Sequence, residues 1–374
     1  MKDTPKCDSV RRMSEANKHK QLNGLQALRA FAFLGIFCGH FGVGLGFFSG
    51  WEVSAFIIMS GFLLVINNFD RNVPCSISQN IKYAIGKVKK LYPLHILMLL
   101  AMLALYLFIV IFRNGQGFGT PLELISYFVL DSLLIQSFVP VKDIFISLNG
   151  VAWYLSTCTF LYFLFPFMLK IMKKNYGKKK SVLFSFGTLL LMLLVPAIVR
   201  LLGASEEYYN YATYISPFYR MLDFFIGCNL GYLYLNCKKN DSAIFSTVLE
   251  AIAIGTVPLT SFLFGKYVGH FENGLFVVTA LWCLPCTVLC VWVFAKRAGF
   301  ITKILSAKPL VFIGDLSGPA FLIHYVVYSY LGPVFSLLGK AKGTPAFCFI
   351  GLILSLVLSF LYNLIIKKIN FSRK

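Results

Sequence analysis

Arg29 and His40 are the residues of the first apolar segment that could do chemistry. An ionisable side chain inside a membrane-length apolar run costs free energy, so its presence indicates a function. In an α-helix, their separation amounts to about 20° beyond three full turns and a rise of about 16 Å, which places both side chains on one face at different depths. The alternatives are that Arg29 snorkels to lipid headgroups and that His40 satisfies a neighbouring helix.

The two side chains suit different tasks. The guanidinium of Arg29 is always charged and suits a phosphate or pyrophosphate. The imidazole of His40 titrates near neutral pH and suits a general base. We therefore expect a donor with a phosphorylated head and a long reactive arm to contact both residues.

Three further charged residues would extend this site. Glu52 begins the second apolar segment near the depth expected for His40, where it would orient a histidine or a sugar hydroxyl. An ordinary solvated loop acid is the equal alternative. Lys87 and Lys90 precede the third segment and suit an anionic donor as point charges, although cytoplasmic anchoring of that segment is the simpler explanation.

Two later segments also carry ionisable residues. Arg220 is followed three residues on by Asp223, and such a pair can neutralise itself on one helix face. His324 lies about 20 Å beyond the start of its apolar run, at a depth similar to that of His40. Trp153 marks the boundary of another segment, where tryptophan commonly anchors a helix.

The composition indicates a polytopic membrane protein. Of the 374 residues, 58% are hydrophobic and 13% are charged, whereas soluble domains carry about 25% charged residues. Apolar runs of about 20 residues predict ten transmembrane helices in an all-α fold. These runs cover 25–47, 51–67, 91–112, 151–171, 181–202, 217–236, 243–264, 274–295, 310–337 and 346–366.

The net charge of +20 is explained by topology rather than by nucleic acid. Connections that alternate along the chain hold 26 of the 35 Lys and Arg residues on one side and 5 on the other. The positive-inside rule then predicts that both termini are cytoplasmic. We expect a cytoplasmic basic tail over 1–24, a membrane domain over 25–366 and a cytoplasmic tail over 367–374. A fairly apolar segment over 122–138 is predicted to be a re-entrant or interfacial helix of an external loop.

The cysteines do not indicate a metal site. Most of the ten cysteines lie in apolar runs and are expected to act as small apolar residues. Cys283 and Cys286 form a C-x-x-C without a second pair or a nearby histidine cluster, so we expect no metal there. The sequence also shows no internal repeat, which transporters usually have, and its polar, basic first residues are not expected to form a cleaved leader.

Six motifs, in order, resemble the acyltransferase family 3 of membrane proteins. LNGLQALRAFAFLGIFCGH is similar to the opening helix of that family, with its arginine and histidine at this spacing. The later motifs are FIIMSGFLL, KVKKLYPLHIL, LNGVAWYLSTCTFLYFLFP, RMLDFFIGCNLGYL and FIGDLSGPAFLIH. Together they cover most of the chain from residue 22 to about residue 325.

The resemblance implies an activity. Members of the family are multi-span enzymes that move acyl groups, usually acetyl from acetyl-CoA, to hydroxyls of surface glycans such as O-antigen, capsule, exopolysaccharide and peptidoglycan. No permanently bound cofactor is implied.

The resemblance also implies roles for residues that match the motifs. His40 would be the catalytic histidine, assisted by Arg29. Glu52, which lies outside the motifs, is expected to assist it by compensating for the aspartate that Ser54 replaces. The residues expected to bind the donor are Arg29, Lys87, Lys90 and Arg220. The residues expected to support the acceptor or the structure are Ser60, Trp153, Tyr162 and His324.

The chain departs from the family pattern at several positions. Cys158 stands where a glutamate is common, and Ser54 stands where an aspartate is often found. Gly318 and Phe321 replace tyrosines of the last motif. Lys90 replaces an arginine, which keeps the charge but loses the bidentate fork.

The sequence therefore predicts a multi-pass O-acyltransferase of the bacterial plasma membrane. Its partners would be acyl-CoA, a surface glycan or lipid-linked sugar, and the lipid bilayer. The alternatives are a transporter or flippase of a lipid-linked glycan, and a non-catalytic scaffold in glycan synthesis. Retention of both Arg29 and His40 argues against the scaffold.

Overall fold

The computed structural model of the protein describes residues 15–42, 51–73, 75–112, 120–175, 177–237, 242–263, 266 and 279–372. Within these ranges the chain forms helices and no strand. The first half contains α1 (Glu15–Phe41), α2 (Trp51–Asn68), α3 (Ile77–Val88), α4 (Tyr92–Phe112), α5 (Pro121–Ser132), α6 (Lys142–Phe145) and α7 (Trp153–Asn175). The second half contains α8 (Lys178–Leu201), α9 (Glu206–Asn210), α10 (Pro217–Leu235), α11 (Ala243–Leu263), α12 (Thr279–Lys296), α13 (Phe300–Leu305), α14 (Lys308–Leu337) and α15 (Pro345–Ser372).

Eight of the described helices are long and apolar enough to cross a membrane, which confirms the all-α polytopic fold. They are α1, α2, α4, α7, α8, α11, α14 and α15. The other two predicted spans form α10 and the described part of α12, which do not meet the same length and hydropathy limits. In α10 the reason is the polar content, which includes Arg220 and Asp223. The orientation of the termini stays a prediction.

Helix α1 differs from the predicted first span at both ends. It begins at Glu15, well before the predicted start at residue 25, because residues 15–24 are rich in good helix formers. It ends at Phe41, where Gly42 has a φ of +73°. A glycine in this left-handed conformation commonly terminates a helix. The rest of the predicted run, 43–47, lies outside the described residues.

Helices α1 and α14 pack closely, side by side and in the same direction. The backbone of Gly314 approaches Gln26 so closely that an added Cβ would lie 1.9 Å from the Gln26 carbonyl oxygen. Gln26 Nε2 also donates a hydrogen bond to Asp315 Oδ1 at 2.8 Å. This contact turns the face that carries Arg29 and His40 towards α14.

Helices α2 and α10 form a second close pair through small residues. An added Cβ on Gly227 would lie 2.1 Å from the carbonyl oxygen of Ile58, and one on Gly61 would lie 2.3 Å from that of Phe224. Glycine at such contacts allows helix backbones in membranes to approach and pack. The SGF motif therefore serves this helix contact through its glycine.

Helix α3 packs along α7, although the sequence analysis treated residues 68–90 only as a connection. Asn80 Nδ2 donates to the Phe163 carbonyl at 3.1 Å, and the rings of Tyr83 and Phe165 are stacked at 5.9 Å. Ser76 caps the first turn by accepting from the backbone N–H of Gln79. Lys87 lies in the last turn of this docked helix and Lys90 follows it, and both side chains are exposed.

The described part of the predicted external loop, 120–150, contains the stretch 122–138 that was predicted to be re-entrant or interfacial, and this loop segment packs on protein. The stretch 122–138 forms most of α5 and a 3₁₀ turn, and α6 follows it. His95 of α4 hydrogen-bonds the Asp131 carbonyl at 2.9 Å, and Ser156 of α7 donates to the Leu134 carbonyl at 2.6 Å. Asn149 then donates to the Leu322 carbonyl of α14 at 3.0 Å. These bonds tie the segment to three helices, while its depth relative to a membrane stays a prediction.

Candidate active site

His40 lines a cavity of about 530 Å³, here named the histidine cavity. Polar and aromatic side chains from five helices and from the turn over Tyr211–Ile215 meet in it. Its lining includes His40, Lys142, Trp153, Glu206, Glu207, Asn210, Tyr214 and Phe321. A cavity of this volume lies within the range of small-molecule sites, about 300–1,000 Å³.

His40 and His324 form a hydrogen-bonded pair, as their similar predicted depths suggested. His40 Nδ1 lies 2.8 Å from His324 Nε2, and the rings are stacked with centroids 5.0 Å apart. His324 Nδ1 lies 3.2 Å from the carbonyl oxygen of Ala320. His324 is fully buried, whereas His40 is exposed to the cavity.

These contacts fix the tautomers of two neutral histidines. A carbonyl only accepts hydrogen bonds, so His324 Nδ1 must carry its proton and donate to Ala320. His324 Nε2 then has a free lone pair and accepts the Nδ1–H of His40. The remaining nitrogen of His40, Nε2, consequently carries a lone pair. This arrangement makes His40 Nε2 a proton acceptor, and the hydrogen bond to His324 fixes the orientation of the His40 ring.

Aromatic rings hold His324 in place. Its ring centroid lies 6.0 Å from that of Phe33, 6.4 Å from that of Phe37 and 5.8 Å from that of Phe321. Phe33 and Phe37 belong to α1, so the same helix supplies His40 and two of the three rings that surround His324. Packing of this kind fixes the ring against which His40 is oriented.

Two carboxylates lie on the side of the histidine cavity formed by α9. Glu206 forms a two-pronged ion pair with Arg200, with one contact of 2.8 Å. The guanidinium of Arg200 holds the pKa of Glu206 below its usual value. Glu207 accepts a hydrogen bond from the backbone N–H of Lys142 at 3.0 Å. The carboxylates thus have fixed positions at the cavity and can accept hydrogen bonds.

Arg220 lies behind the Tyr214 and Trp153 rings that line the histidine cavity. It does not lie beside Arg29, Lys87 and Lys90, the other residues predicted to bind the donor. It is fully buried, and its Nη1 contacts Asp223 Oδ2 at 2.7 Å and Ser54 Oγ at 3.0 Å. Its guanidinium lies 4.6 Å from the ring of Tyr214 and 6.0 Å from that of Trp153. The self-neutralised pair that the spacing suggested is therefore present, and the predicted contact of Arg220 with the donor is not supported.

Ser54 has a defined place in this arrangement. The resemblance puts an aspartate at this position of α2. Here the carboxylate that faces Arg220 comes instead from Asp223, which lies on α10 together with Arg220. Ser54 Oγ donates to Asp223 Oδ2 at 3.1 Å. One carboxylate and one hydroxyl thus compensate the buried guanidinium.

Glu52 does not line the histidine cavity, contrary to its predicted place beside His40. Its side chain is buried and packs against α1, where an added Cβ on Gly35 would lie 2.6 Å from Glu52 Oε1. Gly35 precedes His40 by more than one helical turn, so Glu52 meets α1 at a different level. The structure assigns this carboxylate to the contact between α1 and α2.

Arg29 lines a second cavity, of about 480 Å³, here named the basic cavity. Cations from three helices line it: Arg29 of α1, Lys90 and Lys87 beside α3, and Lys367 of α15. Asp315 also lines it and accepts from Gln26, whose Oε1 accepts from Arg29 Nη1 at 3.2 Å. Lys367 was not among the predicted site residues, because it begins the predicted basic tail, 367–374.

A row of side chains on α7 forms another wall of the basic cavity. Tyr154, Cys158 and Tyr162 are spaced at four residues, which places them on one helix face, and all three line the cavity. Tyr162 Oη lies 3.3 Å from Ser60 Oγ of α2. Cys158 therefore occupies the cavity position where the family pattern has a carboxylate.

Phe321 is the described residue that appears in the lining of both cavities. Arg29 and His40 lie on opposite sides of it, each against α14. The expectation that one molecule contacts both residues therefore requires a path past this ring.

The comparisons with known proteins agree with this architecture. The family model described as an acyltransferase domain matches residues 22–364. The chain belongs to the acyltransferase family 3. This membership confirms the resemblance on which the motif assignments were based.

Relatives of the same family match the chain at low identity. The acyltransferase MdmB of Streptomyces mycarofaciens is 24% identical over 335 residues, covering 83% of this chain and 80% of MdmB. The peptidoglycan O-acetyltransferase OatA of Listeria monocytogenes is 23% identical over 337 residues, covering 84% of this chain and 50% of that protein. The O-acetyltransferase OatA of Staphylococcus aureus is 23% identical over 334 residues, with coverages of 86% and 53%.

The chain thus spans about half the length of the two OatA proteins. No solved structure matches the chain.

Proposed function

We propose that this acyltransferase transfers an acetyl group from acetyl-CoA to a hydroxyl of a surface glycan, within the bacterial plasma membrane. The observation that carries the proposal is the His40–His324 pair in one cavity, with a cavity lined by four cations on the far side of Phe321. This division suits a hydroxyl acceptor on one side and a polyanionic donor on the other. The names of the OatA relatives support acetyl as the group and a cell-wall polymer as the class of acceptor.

The basic cavity would bind the donor. Arg29, Lys87 and Lys90 supply donors for charge-assisted hydrogen bonds to the phosphates of CoA. The pantetheine arm would lie along the wall formed by Ser60 and Tyr162, which ends at Phe321. The thioester would then approach the histidine pair from the side of α14.

The histidine cavity would bind the sugar. Trp153 and Tyr214 present aromatic rings, and Glu207 and Asn210 present hydrogen-bonding groups. A few fixed polar groups beside aromatic surfaces are typical of pockets that orient a small polar ligand. Arg220 stabilises the rings of this wall from behind.

In the proposed reaction, His40 Nε2 removes the proton of the sugar hydroxyl as its oxygen attacks the thioester carbonyl carbon. The C–O bond of the new ester forms and the C–S bond of the thioester breaks. The CoA thiolate leaves and takes the proton back from His40. His324 accepts the Nδ1–H of His40 throughout and stabilises its protonated form through that hydrogen bond.

The test is the alkali-labile O-acetyl content of surface glycan in a deletion strain. The strain would be supplied with the wild-type protein, with His40→Ala or with Gly39→Ala. Gly39 is the matched control because a Cβ added there meets no atom within 4 Å. We expect the wild type and Gly39→Ala to restore O-acetyl groups, and His40→Ala to fail at equal membrane levels.

Two outcomes would contradict the proposal. Equal restoration by His40→Ala would exclude His40 as the catalytic base. A deletion that lowers the amount of surface glycan without changing its O-acetyl content would favour the transporter.

A further inference from the structure

Three aromatic rings from three helices meet between the two cavities. Phe321 of α14 lies 5.1 Å from Tyr154 of α7 and 6.3 Å from Phe56 of α2, and the last two rings are 6.2 Å apart. The ring planes are inclined by 59° to 64° to one another, so the rings meet at their edges and faces. We name this cluster the aromatic partition.

Phe321 is the thinnest part of this partition. Phe56 and Tyr154 line the basic cavity, whereas Phe321 lines the basic cavity on one side and the histidine cavity on the other. The wall between the two spaces is therefore one side chain thick at this position. Phe321 is also nearly buried, with 7% of its surface exposed, and its ring contacts that of His324.

We propose that Phe321 determines which acyl groups reach His40, a role that rests on the proposed function. A donor bound in the basic cavity must bring its thioester carbon past or against this ring. A small acetyl group fits beside the ring, while each added methylene must displace packed aromatic side chains. Overpacking of this kind is unfavourable, and a single methylene in a tight apolar pocket changes specificity by about 10- to 200-fold.

The same ring separates the thioester from water in the histidine cavity. Until a sugar fills that cavity, the ring of Phe321 stands between the cavity contents and the donor. Removing the ring joins the two spaces. Water on the side of His40 then reaches the thioester carbon, where hydrolysis forms a carboxylic acid and releases the CoA thiol.

The experiment compares acyl donors of different length with the purified full-length protein in lipid nanodiscs. Acetyl-CoA, butyryl-CoA and hexanoyl-CoA are the donors, and surface glycan from the deletion strain is the acceptor. Release of the CoA thiol is measured with and without glycan, and mass spectrometry identifies the ester on the glycan. The variants are Phe321→Ala and Phe321→Leu.

Phe335→Ala is the matched control for the loss of a buried ring. Phe335 lies on the same helix and is buried, and its ring packs 5.1 Å from that of Phe347. It lines neither the histidine cavity nor the basic cavity. A general loosening of α14 would affect this control as much as the Phe321 variants.

We expect the wild type to prefer acetyl-CoA over hexanoyl-CoA by at least about tenfold in kcat/KM. Phe321→Ala should reduce this preference by about tenfold and raise thiol release without glycan, with a smaller change in Phe321→Leu and none in Phe335→Ala. If Phe321→Ala fails to fold, Phe321→Leu carries the same test.

The contrary outcomes are distinguishable. Phe321 variants that keep the wild-type preference and the wild-type hydrolysis rate would overturn the role of Phe321 and leave the proposed function intact. A wild type that transfers no acyl group from any of the three donors would overturn the proposed function itself, and the role of Phe321 with it.

Discussion

The two cavities on either side of Phe321 are built in different ways. The histidine cavity relies on a hydrogen-bonded pair of imidazole rings whose contacts fix their tautomers, and one of the two, His324, is fully buried. The basic cavity relies on cations at the ends of long side chains, and Lys87 and Lys90 are exposed. Under the proposed function, the reacting end of the site would have fixed geometry, whereas exposed lysine side chains would hold a flexible anionic donor.

The largest effect is expected from removal of the base. His40→Gln should lower kcat by about 10²- to 10⁴-fold, the usual contribution of a general base, with little change in the KM for acetyl-CoA. Initial rates in nanodiscs at several donor concentrations would measure both constants. A large rise in KM with an unchanged kcat would instead place His40 in donor binding and remove the contrast between the cavities.

A large effect on stability is expected behind the histidine cavity. Asp223→Ala leaves the fully buried guanidinium of Arg220 without its carboxylate, which typically costs about 3–5 kcal/mol. The expected result is a lower Tm of the detergent-solubilised protein. Adding Arg220→Met to Asp223→Ala removes the buried charge and should recover part of the lost Tm. If the double variant is no more stable than Asp223→Ala alone, an uncompensated charge is not the cause of the loss.

A moderate effect is expected from the partner of the base. His324→Leu removes the acceptor of the His40 Nδ1–H and should lower kcat by about tenfold, the value of one hydrogen bond. His324→Gln keeps a possible acceptor and should lose less. The pH profile of kcat separates the two roles that His324 could have. If His324 positions His40, its loss changes the titration of His40 and shifts the profile. If His324 is only structural, kcat falls but the profile keeps its shape.

The smallest effect is expected in the basic cavity. Lys87→Gln with Lys90→Gln should raise the KM for acetyl-CoA by about threefold and leave kcat nearly unchanged, because these exposed lysines act as point charges on the donor. Added salt should reduce the difference from the wild type. Lys89→Gln is the matched control because Lys89 lies between them and does not line the cavity. An equal rise in KM in that control would indicate a general surface charge effect.

Much of the fold was accessible from the sequence because apolar runs of membrane length are a strong signal. Each of the ten predicted runs overlaps a described helix. The boundaries were less accurate, since α1 includes a polar first part and stops at Gly42, which hydropathy alone does not show. Docking of α3 on α7 was not predicted because its contacts join residues far apart in the chain.

The candidate site was accessible in part. The depths inferred for His40 and His324 agreed with their contact, since both were measured along single helices. The spacing of Arg220 and Asp223 suggested the ion pair that the structure contains. The position of Glu52 and the expected donor contact of Arg220 were not accessible in the same way, because helix rotation and neighbouring helices decide where such side chains point. Lys367 was missed since a basic residue at the end of a span looks like an ordinary anchor.

The sequence by itself determined the membrane-embedded helical class, the family and the shared helix face of Arg29 and His40 on α1, because these follow from hydropathy, motif order and helical periodicity within one segment. The tertiary structure decided that Arg29 and His40 face two cavities, that His324 orients His40 and that Phe321 stands between them. These relations depend on how α1, α2, α7 and α14 pack against one another, and the close backbone contacts at Gly314 and Gly227 set that packing.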